Sequence, residues 1–228
     1  MSLGIQQISA AYDRISPFIH KTPLIRSKEI DKLCGCEIIF KADNFQKVGA
    51  FKARGACNAI MSMEEGRLRR GVITHSSGNH GAALAWAAAM KKTDCIVVMP
   101  KNASAVKIDA VNCYGGRVLF CEPTMCAREA MVRDFVSKQS SQFIHPFDDY
   151  SVIAGQGTIA IEFASQLDGL LDKILVPVGG GGLISGISVF VKDKGGLASQ
   201  VIGAEPEKAR DAADSFYSGI HVKKYEPK

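Results

Sequence analysis

The chain has no basic run with interleaved aromatics, and its net charge of +5 is dispersed over 228 residues. Such a pattern is not that of a nucleic-acid partner, because phosphate neutralisation needs clustered cations. Long apolar runs are also missing. The hydrophobic stretches are short and broken by glycine, which excludes a helical membrane span. The opening MSLGIQQISAAYDRI is polar and reads as an amphipathic helix rather than a signal peptide. Paired cysteine motifs are scarce too: seven cysteines are scattered, and Cys34 and Cys36 alone form no metal framework. Reduced, mostly buried thiols in a cytoplasmic protein are expected. Neither an internal repeat nor a low-complexity linker occurs.

What is present is a globular composition, 46% hydrophobic and 22% charged, long enough for one large domain or two smaller ones. Strand-like runs at 37–41, 72–75, 95–99, 117–121, 143–145, 173–178 and 201–204 alternate with helical patterns. The helices fall near 51–63, 80–90, 103–112, 125–138, 156–167 and 183–191. This alternation, with continuous apolar strands such as CIVVM and ILVPV, implies parallel sheets covered on both faces. Residues 71–148 look self-contained and predict a small domain, with 1–70 plus 149–228 forming a larger one. Ligands in such folds sit at the carboxyl ends of the strands.

Three motifs lie where such a ligand would bind. Ser76-Ser77-Gly78-Asn79-His80-Gly81 joins the strand VITH to an alanine-rich helix. One hydroxyl or amide would suffice as a helix cap. Three such residues and two glycines point to a bound carboxylate. Gly179-Gly180-Gly181-Gly182 separates KILVPV from LISGISVFV. Four glycines exceed the need of a turn, and their N–H groups at a helix start can cradle a phosphate. This loop has neither the Gly-Lys-Ser/Thr of a P-loop nor the spacing of a dinucleotide fold. GAFKARGA, residues 49–56, places Lys52 in the first turn of a helix, where the dipole disfavours a cation. Desolvation there would make a nucleophilic amine, although a lone lysine is ordinarily just solvated. A reactive amine, a phosphate cradle and an amide together fit pyridoxal phosphate.

The segments FQKVGAFKARGACNA, THSSGNHGAALA, IAGQGTIA, VPVGGGGLISG and GAEPEKARD occur in that order. With them the chain resembles, from about 22 to 211, the fold-type II pyridoxal-phosphate enzymes, in the branch of serine racemases and serine/threonine dehydratases. The resemblance implies an α/β fold of two open parallel-sheet domains with helices on both faces, of tryptophan synthase β-like type. It implies that Lys52 carries the cofactor as a Schiff base, that Phe51 packs by its ring and that Asn79 bonds its phenolic oxygen. Gly179, Gly180, Gly181 and Gly182 would hold the phosphate. Ser76, Ser77, Asn79 and His80 would take the substrate carboxylate, and Ser77 would act on the substrate face opposite Lys52. Glu205, the Ala209 carbonyl and Asp211 match a Mg²⁺ or Ca²⁺ site, with a solvated charged turn as the plain alternative.

The implied activity is interconversion of L- and D-serine, with elimination of serine to pyruvate and ammonia. The alternatives are an L-serine/L-threonine dehydratase and a truncated, non-catalytic cofactor-binding homologue. A β-replacement synthase and a nicotinamide enzyme fit the motifs less well. ATP activation is not expected, since Val48 and Ala82 offer no side-chain hydrogen bond where polar residues would be needed. Phe147 in HPFDDY stands where a polar neighbour of the substrate would be, which leans toward the dehydratases. Family members run on beyond the position of Lys228, so an incomplete large domain with exposed apolar surface is expected. A full-length form would be a homodimer.

Overall fold

The computed structural model describes residues 3–167, 169, 171–193 and 198–222. The chain starts with α1 (Ile5–Ile15), which buries Ile8, Ala11 and Ile15 at helical spacing. β1 (Leu24–Arg26) then pairs antiparallel with β2 (Ile39–Lys41) across α2 (Lys28–Cys34). α3 (Lys52–Met61) and the short α4 (Glu65–Leu68) lead into a four-stranded parallel sheet. Its strands are β3 (Val72–His75), β4 (Cys95–Pro100), β5 (Arg117–Cys121) and β6 (Gln142–Phe143), in the order β5-β4-β3-β6. The crossovers are α5 (Asn79–Met90), α6 (Ala105–Cys113) and α7 (Met125–Gln139). α8 (Tyr150–Gln166) returns to a second parallel pair, β7 (Leu171–Pro177) and β8 (Ala198–Ala204), joined by α9 (Gly182–Lys192). α10 (Asp211–Ser218) follows.

The expected alternation of strand and helix is present, with three differences. β2 falls within the expected run at 37–41, but its antiparallel partner β1 and helix α2 escape a search for apolar patterns, because each is short and has no buried residue. α8 starts six residues before the expected boundary at 156, since the Asp149 carboxylate accepts from Ser151 N–H and Val152 N–H and caps it there. β6 ends at Phe143 instead of running to 145.

The segment IAGQG is the middle of α8, and its glycines are crossing points. A Cβ on Gly155 would lie 2.6 Å from the Arg54 carbonyl oxygen and from Gly55 Cα, and one on Gly186 would lie 2.6 Å from Gly157 N. α8 therefore touches α3 and α9 backbone to backbone. α3 begins at Lys52, and α9 begins at Gly182, the last residue of the glycine run. One helix thus sets the separation of the two motifs.

Two large apolar clusters support this arrangement. One joins α3 and α5 to the four-stranded sheet through residues such as Ile60, Leu84 and Val97, with Val152 from α8. The other packs Ile8, Ile159, Phe163, Val176 and Ile187 beneath β7 and β8.

Candidate active site

Lys52 is the first residue of α3, as the sequence implies, and is partly buried. Its Nζ donates to the Pro146 carbonyl oxygen at 2.7 Å and lies 5.2 Å from the Phe51 ring centroid. Burial pushes the ammonium down from the ordinary lysine range to about 8. The carbonyl is a neutral acceptor, so it orients the amine without holding its proton by opposite charge.

The loop after β3 divides its polar residues between two tasks. Ser76 Oγ accepts from Gly78 N–H at 3.2 Å and Gly81 N–H at 3.1 Å. It pins the loop, and it serves as the cap that the N-cap residue Gly78 cannot supply. Ser77 and Asn79 have side chains without a partner among the described residues, and Asn79 is exposed. His80 is only 3% exposed, and neither ring nitrogen has a partner among the described residues. Burial, with the Lys52 charge second, pushes its imidazole down to about 3, so the ring is neutral.

The glycine run forms the turn into α9, with Gly181 at φ 82° as the N-cap. None of its four N–H groups has a partner among the described residues. A Cβ at Gly179 or Gly181 would meet open space, whereas one at Gly180 would overlap the Phe147 ring. The run is thus an open cradle on one side and a seat for an aromatic ring on the other. Its free N–H groups, the partly desolvated amine of Lys52 and the unpartnered Asn79 fit the phosphate, aldehyde and phenolic oxygen of pyridoxal phosphate.

Glu205 has another use. Its Oε1 accepts from Ala212 N–H at 3.2 Å and its Oε2 from Ala213 N–H at 2.8 Å, so it caps α10. Among the described residues no three His, Cys, Asp or Glu side chains gather as a metal site.

Three contributors have roles that the sequence did not assign. The Pro146 carbonyl and the Phe147 ring are brought in by the connection between β6 and α8; Phe147 was read only as a neighbour of the substrate. Arg54, two residues after Lys52, is fully buried and bridges two elements. Its Nε and Nη2 donate to Asp43 at 2.7 and 2.8 Å, and its Nη1 and Nη2 donate to Glu162 at 2.7 and 2.9 Å. Lys41 Nζ donates to Glu162 as well, at 2.7 Å. Burial pushes Glu162 up, but the hydrogen bonds from Arg54 and Lys41 outweigh it and hold the carboxyl low. The signal available in the sequence was an arginine inside an otherwise small-residue helix.

A family model described as pyridoxal-phosphate dependent enzyme matches residues 15–227. A serine racemase of Dictyostelium discoideum is 44% identical over 226 residues, covering 99% of this chain and 69% of that protein. A beta-hydroxyaspartate dehydratase of Paracoccus denitrificans is 43% identical over 98% of the chain and 70% of its own length. The structure of maize serine racemase superposes with a TM-score of 0.95 at 37% identity, over 100% of this chain and 69% of that one. The chain spans 63% to 70% of the length of the curated relatives it matches. By its motifs, its fold and these matches, the chain belongs to the pyridoxal-phosphate-dependent enzyme family.

Proposed function

We propose that the protein is a pyridoxal-phosphate-dependent amino-acid racemase and ammonia-lyase acting on serine. The observation that carries the reading is the partly desolvated Lys52 amine, held by Pro146 next to the Phe147 that sits on a glycine run whose four N–H groups have no partner among the described residues. Bound pyridoxal phosphate supplies an aldehyde for the amine and an electron sink for charge at the substrate Cα. Lys52, released by the incoming amino acid, takes the α-proton on one face. Ser77, whose hydroxyl has no structural partner, serves the other face, and proton return there inverts the centre. Ser76 holds the loop that receives the substrate carboxylate with Asn79. His80 lines the site as a neutral ring. Loss of the β-hydroxyl as water in place of proton return would leave an enamine, whose tautomerisation and hydrolysis after release give pyruvate and ammonia.

The test is the visible spectrum of the cofactor-loaded protein before and after borohydride, followed by assays for D-serine and pyruvate from L-serine. A band that reduction locks onto Lys52 and that is absent in Lys52→Ala is the expected result. A band unchanged in Lys52→Ala would sink the assignment. D-serine formation at the wild-type rate in Ser77→Ala would remove the two-face scheme.

One observation favours a second substrate reading. Lys107 Nζ lies 4.0 Å from where a Cβ on Gly78 would stand, at the mouth of the same loop. A cation there suits a substrate with a second carboxylate, as in the name of the Paracoccus relative. Lys107→Ala should then lower turnover of 3-hydroxyaspartate and leave that of serine unchanged.

For a divalent cation, the Glu205 lone pairs left free by its cap, the Ala209 carbonyl and Asp211 would be the ligands. A rise in melting temperature with Mg²⁺ that is lost in Asp211→Asn would support it. We place the protein in the cytoplasm as a homodimer, with 71–148 as the small domain. Among the described residues no helix is long and apolar enough to cross a membrane.

A further inference from the structure

A cavity of about 400 Å³ lies between α7 and the β3–β6 edge of the four-stranded sheet. It exists because β6 is only two residues long, so the C-terminal half of α7 has little sheet beneath it. Val132 and Val136 of α7 form one wall. His75, Phe143 and His145 form the other, each pair of rings 5.6 Å apart between centroids. Burial lowers the proton affinity of both histidines, so these walls are neutral and aromatic. Asp148 N–H and Phe147 N–H donate to His145 Nδ1 at 2.8 and 3.4 Å, which leaves the ring proton on Nε2. At the mouth, Glu129 and Arg133 stand one helical turn apart. Their closest atoms are 3.6 Å apart and both side chains are at least half exposed, so each has capacity for another partner.

The cavity wall is continuous with the candidate active site. His75 directly precedes Ser76, and His145 directly precedes Pro146, whose carbonyl holds Lys52 Nζ. The Phe147 ring lies edge-on to His145, 4.5 Å between centroids, and sits on Gly180 of the glycine run. The His145 ring is thus joined by contact to the Phe147 ring on the glycine run, and by the chain to the residue that holds Lys52.

We propose that this cavity is an effector site for a small aromatic amino acid, coupled to the cofactor site through residues 145–147. The ligand ring enters among the three wall rings, which favour edge-to-face partners. Its carboxylate meets Arg133 and its ammonium meets Glu129. The volume is in the range of small-molecule sites. The coupling half of the proposal rests on the functional reading above, and the binding half does not.

The test is calorimetric titration of L-phenylalanine into the protein, with and without pyridoxal phosphate, alongside phenylacetate and phenethylamine as probes lacking one charge. Arg133→Ala should weaken binding roughly fivefold, as should removal of either ligand charge. Val136→Phe, which fills the cavity, should abolish binding, with an unchanged melting temperature as the folding control. Saturating L-phenylalanine should shift the apparent pyridoxal phosphate affinity, read from the visible band, by roughly fivefold or more. No binding to either form, or equal binding to both variants, would overturn the site. Binding that leaves the cofactor titration unmoved would overturn the effector role. Binding to a chain that never takes up pyridoxal phosphate would refute the functional reading while supporting the site.

Discussion

At Lys52 two tendencies act together: a helix N-terminus repels a cation, and burial disfavours the charged form. Both favour the free amine, which is the form a carbonyl-directed nucleophile needs. The same shift has a consequence for stability. The unfolded chain keeps this proton up to the ordinary lysine range, whereas the folded chain releases it near pH 8. The unfolded state thus binds more protons between these values, so stability rises with pH across that window. The shift corresponds to roughly 3 kcal/mol at most, before discount for the exposed part of the side chain. The buried Cys57 and Cys95 thiols, pushed up to about 12, act in the opposite sense above pH 9, so the urea stability of cofactor-free protein measured relative to Lys52→Met should rise from pH 8 to 10. His80 gives the opposite side of the profile. Its imidazole is pushed down to about 3, so the unfolded state binds more protons below the ordinary histidine range, and stability falls as pH falls through that range. Chemical denaturation between pH 7 and 5 should show a shallower fall in His80→Asn.

At the scale of elements, α8 is the ruler of the site. Its glycines bring α3 and α9 into backbone contact, and the Arg54 network locks the register of α3 on it. Replacing Arg54 with Met would leave Asp43 and Glu162 buried without their partner, at a cost of about 3–5 kcal/mol. A loss of that size in urea unfolding checks it; a change below ~1 kcal/mol would mean that Lys41 alone satisfies Glu162. The glycine run makes a sharper prediction. Gly180→Ala puts a methyl into the Phe147 ring, while Gly179→Ala meets open space. Cofactor affinity should fall in Gly180→Ala and return in the double variant Gly180→Ala/Phe147→Ala. A Gly180→Ala protein that titrates like the wild type would show that the ring moves aside freely.

On the scale of the whole molecule, β7, β8 and α10 together carry several exposed apolar side chains. Leu175 and Ile202 are cross-strand partners on β7 and β8, 68% and 37% exposed, while their neighbours Ile174 and Val176 face the core. Phe216, Tyr217 and Ile220 are also exposed, on and just beyond α10. Surface of this kind drives association. The 228-residue chain should sediment as a concentration-dependent mixture, and Leu175→Lys with Phe216→Lys should shift it toward monomer. The legible part of the fold was the part written in local periodicity: the parallel strands, their crossover helices, and the loops that interrupt them. Lys52 and the glycine run stood out as candidates in the sequence because each is a residue type out of place for its element. Lys52 is a cation at a helix start, and residues 179–182 are glycines between two apolar segments. Strand β1, helix α2 and the true start of α8 were not legible, because short exposed elements carry little apolar pattern and one Asp cap outweighs a pattern. Sequence alone therefore determined which chemistry is on offer: an amine, an amide, a hydroxyl pair and a row of bare N–H groups. Only the tertiary structure decided which of these remain free. It tied Ser76 to its own loop and Glu205 to the cap of α10, buried His80 without a partner, and set Phe147 on Gly180. The first two are settled by the three-dimensional course of a single loop, and the last two by packing between segments far apart in the chain, and no one-dimensional pattern encodes either.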